Sequence, residues 1–258
     1  MGVRLCLRGL AVLVVALALA ACGGGRKSSV PPAGPRLSRV CLGQVPHGLR
    51  AQTSWLRTSD GIRLFAFTAG RGKTGVVLAH ESPGGACGWL PAVPTFTAHG
   101  LRVLGFDFRG FPPSASAPNR RADEFAPDLQ AAVDGLHADG AGKVFVVGAS
   151  FGGAAMLKEA AKLQGVTGFA NLSGELDLPT TGDVLPAVRR LRAPLLVIAS
   201  RRDSYLDAAD ARRLVRAAGS ADKQLALYPG SYHGWDLLEQ APFRQRVWSR
   251  LLGWIDDH

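Results

Sequence analysis

The sequence predicts an α/β protein, a mostly parallel twisted sheet of about eight strands flanked by helices. Three observations carry that reading. Short apolar runs rich in Val, Leu, Ile and Phe alternate with helix-length segments from residue 53 onward, and such alternation builds βαβ units. The stretch Lys143–Met156 passes from Val144-Phe145-Val146-Val147 through Gly148-Ala149-Ser150-Phe151-Gly152 to small residues and helix formers. That is a buried strand, a sharp turn and a helix N-terminus. Finally, 258 residues with 47% apolar content suffice for one good core.

The elements follow in order. Residues 36–52 have no clear period and read as an arm across the body. Thr53 to Thr58 and Ile62 to Thr68 flank Ser59-Asp60-Gly61, a strand–turn–strand pattern that predicts a hairpin. Gly75 to Ala79 is a buried strand running into His80-Glu81-Ser82-Pro83-Gly84-Gly85, and 88–99 reads as helix despite Pro91 and Pro94. Leu101 to Phe106 is a strand ending at Asp107-Phe108-Arg109-Gly110, followed by an amphipathic helix over Ala122 to Ala138. Beyond the central stretch come a strand at Val166 to Leu172, a short helix at Val184 to Leu191 and a strand at Pro194 to Ala199. A helix at Ala208 to Ala218, a strand at Gln224 to Tyr228 and a closing helix at Asp236 to Ile255 complete the chain. Only about ten residues separate the Val166 strand from the next helix, too few for an inserted lid domain.

The N-terminus belongs to a different class of sequence. Arg4 and Arg8 precede an apolar stretch from Leu10 to Leu19, which is short for a bilayer span, and Leu19-Ala20-Ala21-Cys22 follows. This resembles a bacterial lipoprotein signal, which implies removal of residues 1–21 and lipidation of Cys22. An ordinary secretory signal with Cys22 as a bystander is the alternative. Gly23-Gly24-Gly25 and then Pro31-Pro32-Ala33-Gly34-Pro35 form a tether, flexible and then stiff. The expected organisation is therefore a signal at 1–21, lipidated Cys22 and linker at 22–36, and one domain at 37–258. The resemblance implies a chain anchored to the membrane on the extracytoplasmic face of a bacterial cell envelope.

The formal charge of +10 falls to +8 once Arg4 and Arg8 leave with the signal. Arginines cluster at Arg189-Arg190-Arg192, Arg201-Arg202 and Arg212-Arg213-Arg216 without interleaved aromatics, so no nucleic-acid partner is expected. A basic surface suits anionic lipid headgroups; arginine-rich codon usage would leave the same trace. With Cys6 removed and Cys22 acylated, Cys41 and Cys87 remain. An even remainder in an oxidising compartment points to a disulfide, two buried thiols being the alternative.

The chemistry centres on Gly148-Ala149-Ser150-Phe151-Gly152, which fits G-x-S-x-G. Taken alone, this is equally a glycine-rich turn with a serine N-cap. In its strand–turn–helix setting the chain resembles the α/β-hydrolase family over roughly residues 53–258, a family of esterases, lipases and peptidases with a nucleophile–acid–histidine order. In parallel sheets functional groups gather beyond the carboxyl ends of the strands. Asp203 follows the strand 194–199 and His233 follows 224–228, so the resemblance implies Ser150, Asp203 and His233 as nucleophile, acid and base. Glu175, Asp177 and Asp207 compete for the acid's role, and His47, His80, His99, His137 and His258 for the base's.

An oxyanion hole needs two backbone N–H groups. Phe151 supplies one, and His80-Glu81-Ser82, which is similar to the corresponding loop of dienelactone-hydrolase-like members, implies Ser82 for the other. His80, Glu81, Trp89, Tyr205 and Trp235 are expected to line a site that, lacking a lid, is open and shallow. Asp107-Phe108-Arg109-Gly110-Phe111 with Ser114 resembles the family's D-x-R-G-x-G-x-S loop, Pro112 replacing the second glycine, and Arg109 is expected to tie loops together. No metal spacing, P-loop or dinucleotide fingerprint occurs, so no cofactor is expected. The resulting expectation is a monomeric serine hydrolase acting on a carboxylic ester, thioester or small amide through an acyl-enzyme. A non-catalytic scaffold or an acyltransferase on the same fold is the alternative.

Overall fold

In the computed structural model, which describes Gly2, residues 33–116 and residues 124–258, the expected sheet forms with eight strands. They are β1 (Ala51–Arg57), β2 (Arg63–Ala69), β3 (Thr74–Ala79), β4 (Arg102–Phe106), β5 (Lys143–Ala149), β6 (Gly168–Leu172), β7 (Leu195–Ser200) and β8 (Lys223–Tyr228). Their order is β1-β2-β4-β3-β5-β6-β7-β8, and only β2 runs against its neighbours. The described helices are α1 (Leu37–Val40), α2 (Val93–Ala98), α3 (Ala126–Ala138), α4 (Phe151–Glu159), α5 (Leu185–Val188), α6 (Ala208–Ala217), α7 (Asp236–Glu239) and α8 (Arg244–Asp257). The expected signal, Cys22 and most of the tether lie outside the described residues.

β5 is central, which explains its unbroken apolar run. Val144 and Val146 face one layer, packed with Leu129 and Val133 of α3, Leu157 of α4 and Leu214 of α6. Phe145 and Val147 face the other, with Phe96 of α2 and Val247, Leu251 and Trp254 of α8. Side chains alternate across a strand, so a strand covered on both faces must be apolar throughout. Fully burying each such side chain contributes about 1.5–3 kcal/mol. The turn after β5 is thereby held on a strand packed on both faces.

Prolines account for most differences from the expected helices. The helix expected at 88–99 is a 3₁₀ turn at Ala86–Trp89 and then α2, with Pro91 between them and Pro94 in the first turn of α2. The closing helix expected at 236–255 divides into α7 and α8 around Pro242. Proline lacks the N–H that a helix interior requires and clashes with the preceding turn. The helix expected from Ala122 begins at Ala126, again with proline, Pro127, in its first turn; Ala122 is outside the described residues. The short helix expected at 184–191 is only Leu185–Val188.

The arm contains α1 and is joined to the body by a Cys41–Cys87 disulfide whose Cα atoms are 5.4 Å apart. Leu37, Val40, Val45 and Leu49 pack against the second apolar layer. Between β6 and α5 there is no inserted domain. The segment folds back on itself through Thr181 N–H to Leu178 O at 3.1 Å and Val184 N–H to Leu176 O at 2.9 Å.

Candidate active site

Ser150 occupies the turn from β5 to α4 with φ 48° and ψ −121°, a backbone conformation costing about 1–3 kcal/mol that its surroundings must impose. The glycines around it are steric requirements. A Cβ on Gly148 would lie 2.6 Å from Gly152 O, and one on Gly152 would lie 2.3 Å from Ala79 O. Hydrogen bonds from Ser150 N–H to Leu172 O (2.9 Å) and from Ala154 N–H to Ser150 O (3.0 Å) hold the turn between β6 and α4.

Asp203 follows β7 and His233 follows β8, and the two meet. His233 Nδ1 lies 3.0 Å from each Asp203 carboxylate oxygen. An ionised carboxylate only accepts, so Nδ1 carries the proton and Nε2 is the ring's free acceptor. Asp203 Oδ1 also accepts from Tyr205 N–H at 2.9 Å. Burial alone would raise the Asp203 carboxyl, but the bonds from His233 and from Tyr205 N–H outweigh it and leave its pKa lowered. Burial acts to lower the His233 pKa, and the bond and charge of Asp203 overcome it, so the imidazole is raised.

The rival acids have other places. Asp207 caps α6, accepting from Ala209 N–H at 2.7 Å and Asp210 N–H at 2.9 Å, and Asp177 is exposed. Glu175 is 7% exposed and faces Ser150, whose hydroxyl donates to its Oε1 at 3.5 Å. Among the described residues, no hydrogen bond joins Ser150 Oγ to His233. Burial raises the Glu175 carboxyl. His258 also meets a carboxylate, Asp222, at 2.8 Å, but at the wrong end of the sheet. Asp222 precedes β8, and Lys143 at the start of β5 donates from Nζ to His258 O at 2.6 Å. Ser150 lies beyond the opposite end of that strand.

The loop after β3 is braced from behind. His80 is fully buried; its Nδ1 lies 2.9 Å from Glu81 O, and its Nε2 accepts from Phe108 N–H at 3.1 Å. The imidazole is therefore the neutral Nδ1–H tautomer, and burial lowers its pKa to about 4. Asp107 Oδ1 accepts from Ala86 N–H at 2.6 Å, and burial raises this carboxyl to about 7. Gly85, at φ 82°, passes so close that a Cβ there would lie 2.6 Å from Asp107 Oδ1. Arg109 does tie loops together. Its Nε donates to Asp128 Oδ1 of α3 at 2.8 Å, and its Nη1 to Asp60 Oδ2 of the β1–β2 turn at 2.9 Å.

These residues surround a pocket of about 400 Å³ lined by Ser150, His233, Phe151, Ser82, Glu81, Glu175 and Tyr205, with Phe111, Phe125 and Leu178 as apolar wall. Three expected lining residues are not part of it. His80 is sealed beneath the loop, Trp89 is fully buried, and Trp235 packs its ring over Gly84 and Gly88, 6.0 Å from Trp89. Nor is the site a shallow cleft. Among the described residues no cap covers it, yet Ser150 is 7% exposed at the base of a recess. Glu81, Glu175, Phe111 and Phe125 reach it from four separate segments; Glu81 and the 173–180 loop that carries Glu175 were expected to line it, Phe111 and Phe125 were not.

Residues 76–181 match the α/β hydrolase fold family, and residues 176–236 match the family described as serine aminopeptidase, S33. An esterase from Pyrococcus furiosus superposes with a TM-score of 0.71 at 17% identity, over 88% of this chain and 99% of that one. A thermophilic esterase from Thermogutta terrifontis gives 0.65 at 17%, over 80% and 98%. A monoacylglycerol lipase from Paleococcus ferrophilus gives 0.64 at 16%, over 76% and 99%. At such identities the likeness is one of architecture, and it agrees with the sheet order and the strained turn at Ser150: this chain has the α/β-hydrolase fold.

Proposed function

We propose that the chain is a serine hydrolase that cleaves a carboxylic ester, thioester or small amide through an acyl-enzyme, with Ser150 as nucleophile, His233 as base and Asp203 as acid. One observation carries the reading. The His233 ring is fixed to Asp203 through Nδ1, leaving Nε2 free in the same pocket as a serine held on strained backbone.

The steps follow from these groups. Ser150 Oγ turns from Glu175 toward His233 Nε2, which takes its proton as Oγ attacks the substrate carbonyl. Asp203 stabilises the resulting imidazolium. The N–H groups of Phe151 and Ser82 receive the oxyanion; support comes from both residues lining the pocket, Phe151 at the N-terminus of α4. His233 returns the proton to the leaving group, and water repeats the sequence to release the acid. Three similar solved structures bear the names esterase or lipase, which supports ester substrates for this pocket.

The N-terminal sequence is read as a lipoprotein signal at 1–21, with Cys22 acylated, a linker to residue 36 and the hydrolase domain at 37–258. The protein would then act as a monomer tethered outside a bacterial cytoplasmic membrane, where the Cys41–Cys87 disulfide is at home. A fluorophosphonate probe tests the catalytic reading. Wild-type protein should be labelled at Ser150 and Ser150→Ala should not; an unlabelled wild type would leave the scaffold reading in its place.

A further inference from the structure

At the opposite end of the sheet from Ser150 lies a second cavity, of about 940 Å³, sharing no lining residue with the first. It is built where β1 begins, β2 ends and β4 begins. Three arginines line it, Arg50, Arg71 and Arg102, against one carboxylate, Asp139. Among the described residues none of the three has an ion-pair partner. Arg102 is partly buried. Its Nη2 donates to Arg71 O at 3.4 Å, and its Nε is buried with no acceptor. An unanswered guanidinium N–H beside two more guanidinium groups fits an anion, and phosphate oxygens match the guanidinium fork.

The loop carrying Arg71 is held by close backbone packing. Gly70 and Gly72 flank Arg71, and a Cβ on either would lie 2.2 Å from Leu101 O or 2.0 Å from Gly100 O. The loop carrying Arg71 can therefore close directly onto the residues preceding Arg102.

Beyond the arginines the surface changes character. A hollow of about 400 Å³ shares Leu49, Arg50 and Gly70 with the basic cavity and continues past Pro94 and Ala98. A third depression shares Pro94 and Ala98 and reaches Leu252. The three make a continuous groove, basic at one end and mainly carbon at the other.

We propose that this groove binds an anionic membrane phospholipid, its phosphate among Arg50, Arg71 and Arg102 and its alkyl portion along Pro94, Ala98 and Leu252. Bound there, the protein directs its amino-end face to the membrane and its Ser150 pocket to the water. The proposal is independent of what Ser150 does and of any acylation at Cys22.

The test uses the full-length chain and vesicles of phosphatidylcholine with or without phosphatidylglycerol, read by sedimentation. Each arginine near an anionic surface is worth about a five-fold change in partitioning. Arg71→Gln with Arg102→Gln should therefore remove most of the preference for phosphatidylglycerol. Hydrolysis of a short soluble ester, if wild type shows it, and the melting temperature report whether the variant is folded. Arg189→Gln with Arg190→Gln, an exposed pair of equal charge elsewhere, should keep most of the preference. An equal loss in both variants means diffuse charge and overturns the proposal. Calorimetry with n-octyl phosphate and inorganic phosphate tests the trough. The alkylated probe should bind at least about ten-fold tighter, and equal affinities would overturn a lipid as occupant.

Discussion

Ser150 Oγ lies 3.5 Å from Glu175 Oε1 and donates its proton there, while His233, on the same pocket, is bonded to Asp203. The Ser150 hydroxyl is thus folded against a carboxylate other than the one that holds His233. Glu175 also adds negative charge near His233 and helps to raise the imidazole pKa. As the proposed base, His233 must be neutral to accept a proton, so a raised pKa moves the acid limb of activity to higher pH. Glu175→Gln should shift that limb to lower pH in a kcat/KM profile. An unmoved limb would mean that Glu175 has no electrostatic hold on the base.

Asp203 and Asp222 each meet a histidine, and only one pair is on the pocket. Asp203→Asn should cost about 10³–10⁴ in kcat, because the imidazole loses the partner that fixes its tautomer. Asp222→Asn, at the far end of the sheet, should leave kcat within about two-fold of wild type. Kinetics on one soluble ester check both, and the reverse result would move the site to His258.

The Cys41–Cys87 bond spans 46 residues, a loop whose closure is worth about 4 kcal/mol in chain entropy. Cys87 lies in the segment that begins at Ser82, so reduction should lower the melting temperature and activity together. Melting and assays with and without reductant measure this. Lost stability with full activity would show that the arm does not support the loop.

Asp107 gives stability a pH dependence of its own. Its folded pKa is about 7, against 3.8 for an ordinary aspartate. The folded state holds the proton longer than the unfolded chain, so its contribution declines as pH rises from about 4 to 7. His80, lowered from 6.5 to about 4, acts in the opposite sense between those values, its contribution complete only above pH 6.5. Asp107→Asn keeps an acceptor for Ala86 N–H and carries no charge. Urea melts should show the variant gaining stability relative to wild type between pH 4 and 7. A constant difference across that range would show that Asp107 does not titrate there.

Much of this was legible along the chain. The G-x-S-x-G turn announces itself because its demand is local: the glycines two before and two after Ser150 would clash if they carried a Cβ. The eight strands are legible because burial on one or both faces writes a period into adjacent residues. Asp203 and His233 could be chosen because parallel strands all present their carboxyl ends to one side. The helix breaks at Pro91 and Pro242 were also written in the sequence, where apolar spacing was read over a missing N–H.

Other features were decided only in three dimensions. Trp89 and Trp235 carry no local sign of which way they face; Trp235 turns from the pocket because Gly84 and Gly88 leave room for its indole behind the loop, and Trp89 packs edge-on against it. Glu175 could be weighed as an acid, but its contact with Ser150 depends on where β6 ends relative to α4. The basic cavity gathers arginines from positions 50, 71 and 102, of which no sequence window contains all three. Local backbone sterics and periodicity are fixed within a few residues and survive any tertiary arrangement. Burial, charge environment and contact are set by the packing of distant segments, and it was packing that made His80 a neutral brace and left Arg102 Nε without an acceptor.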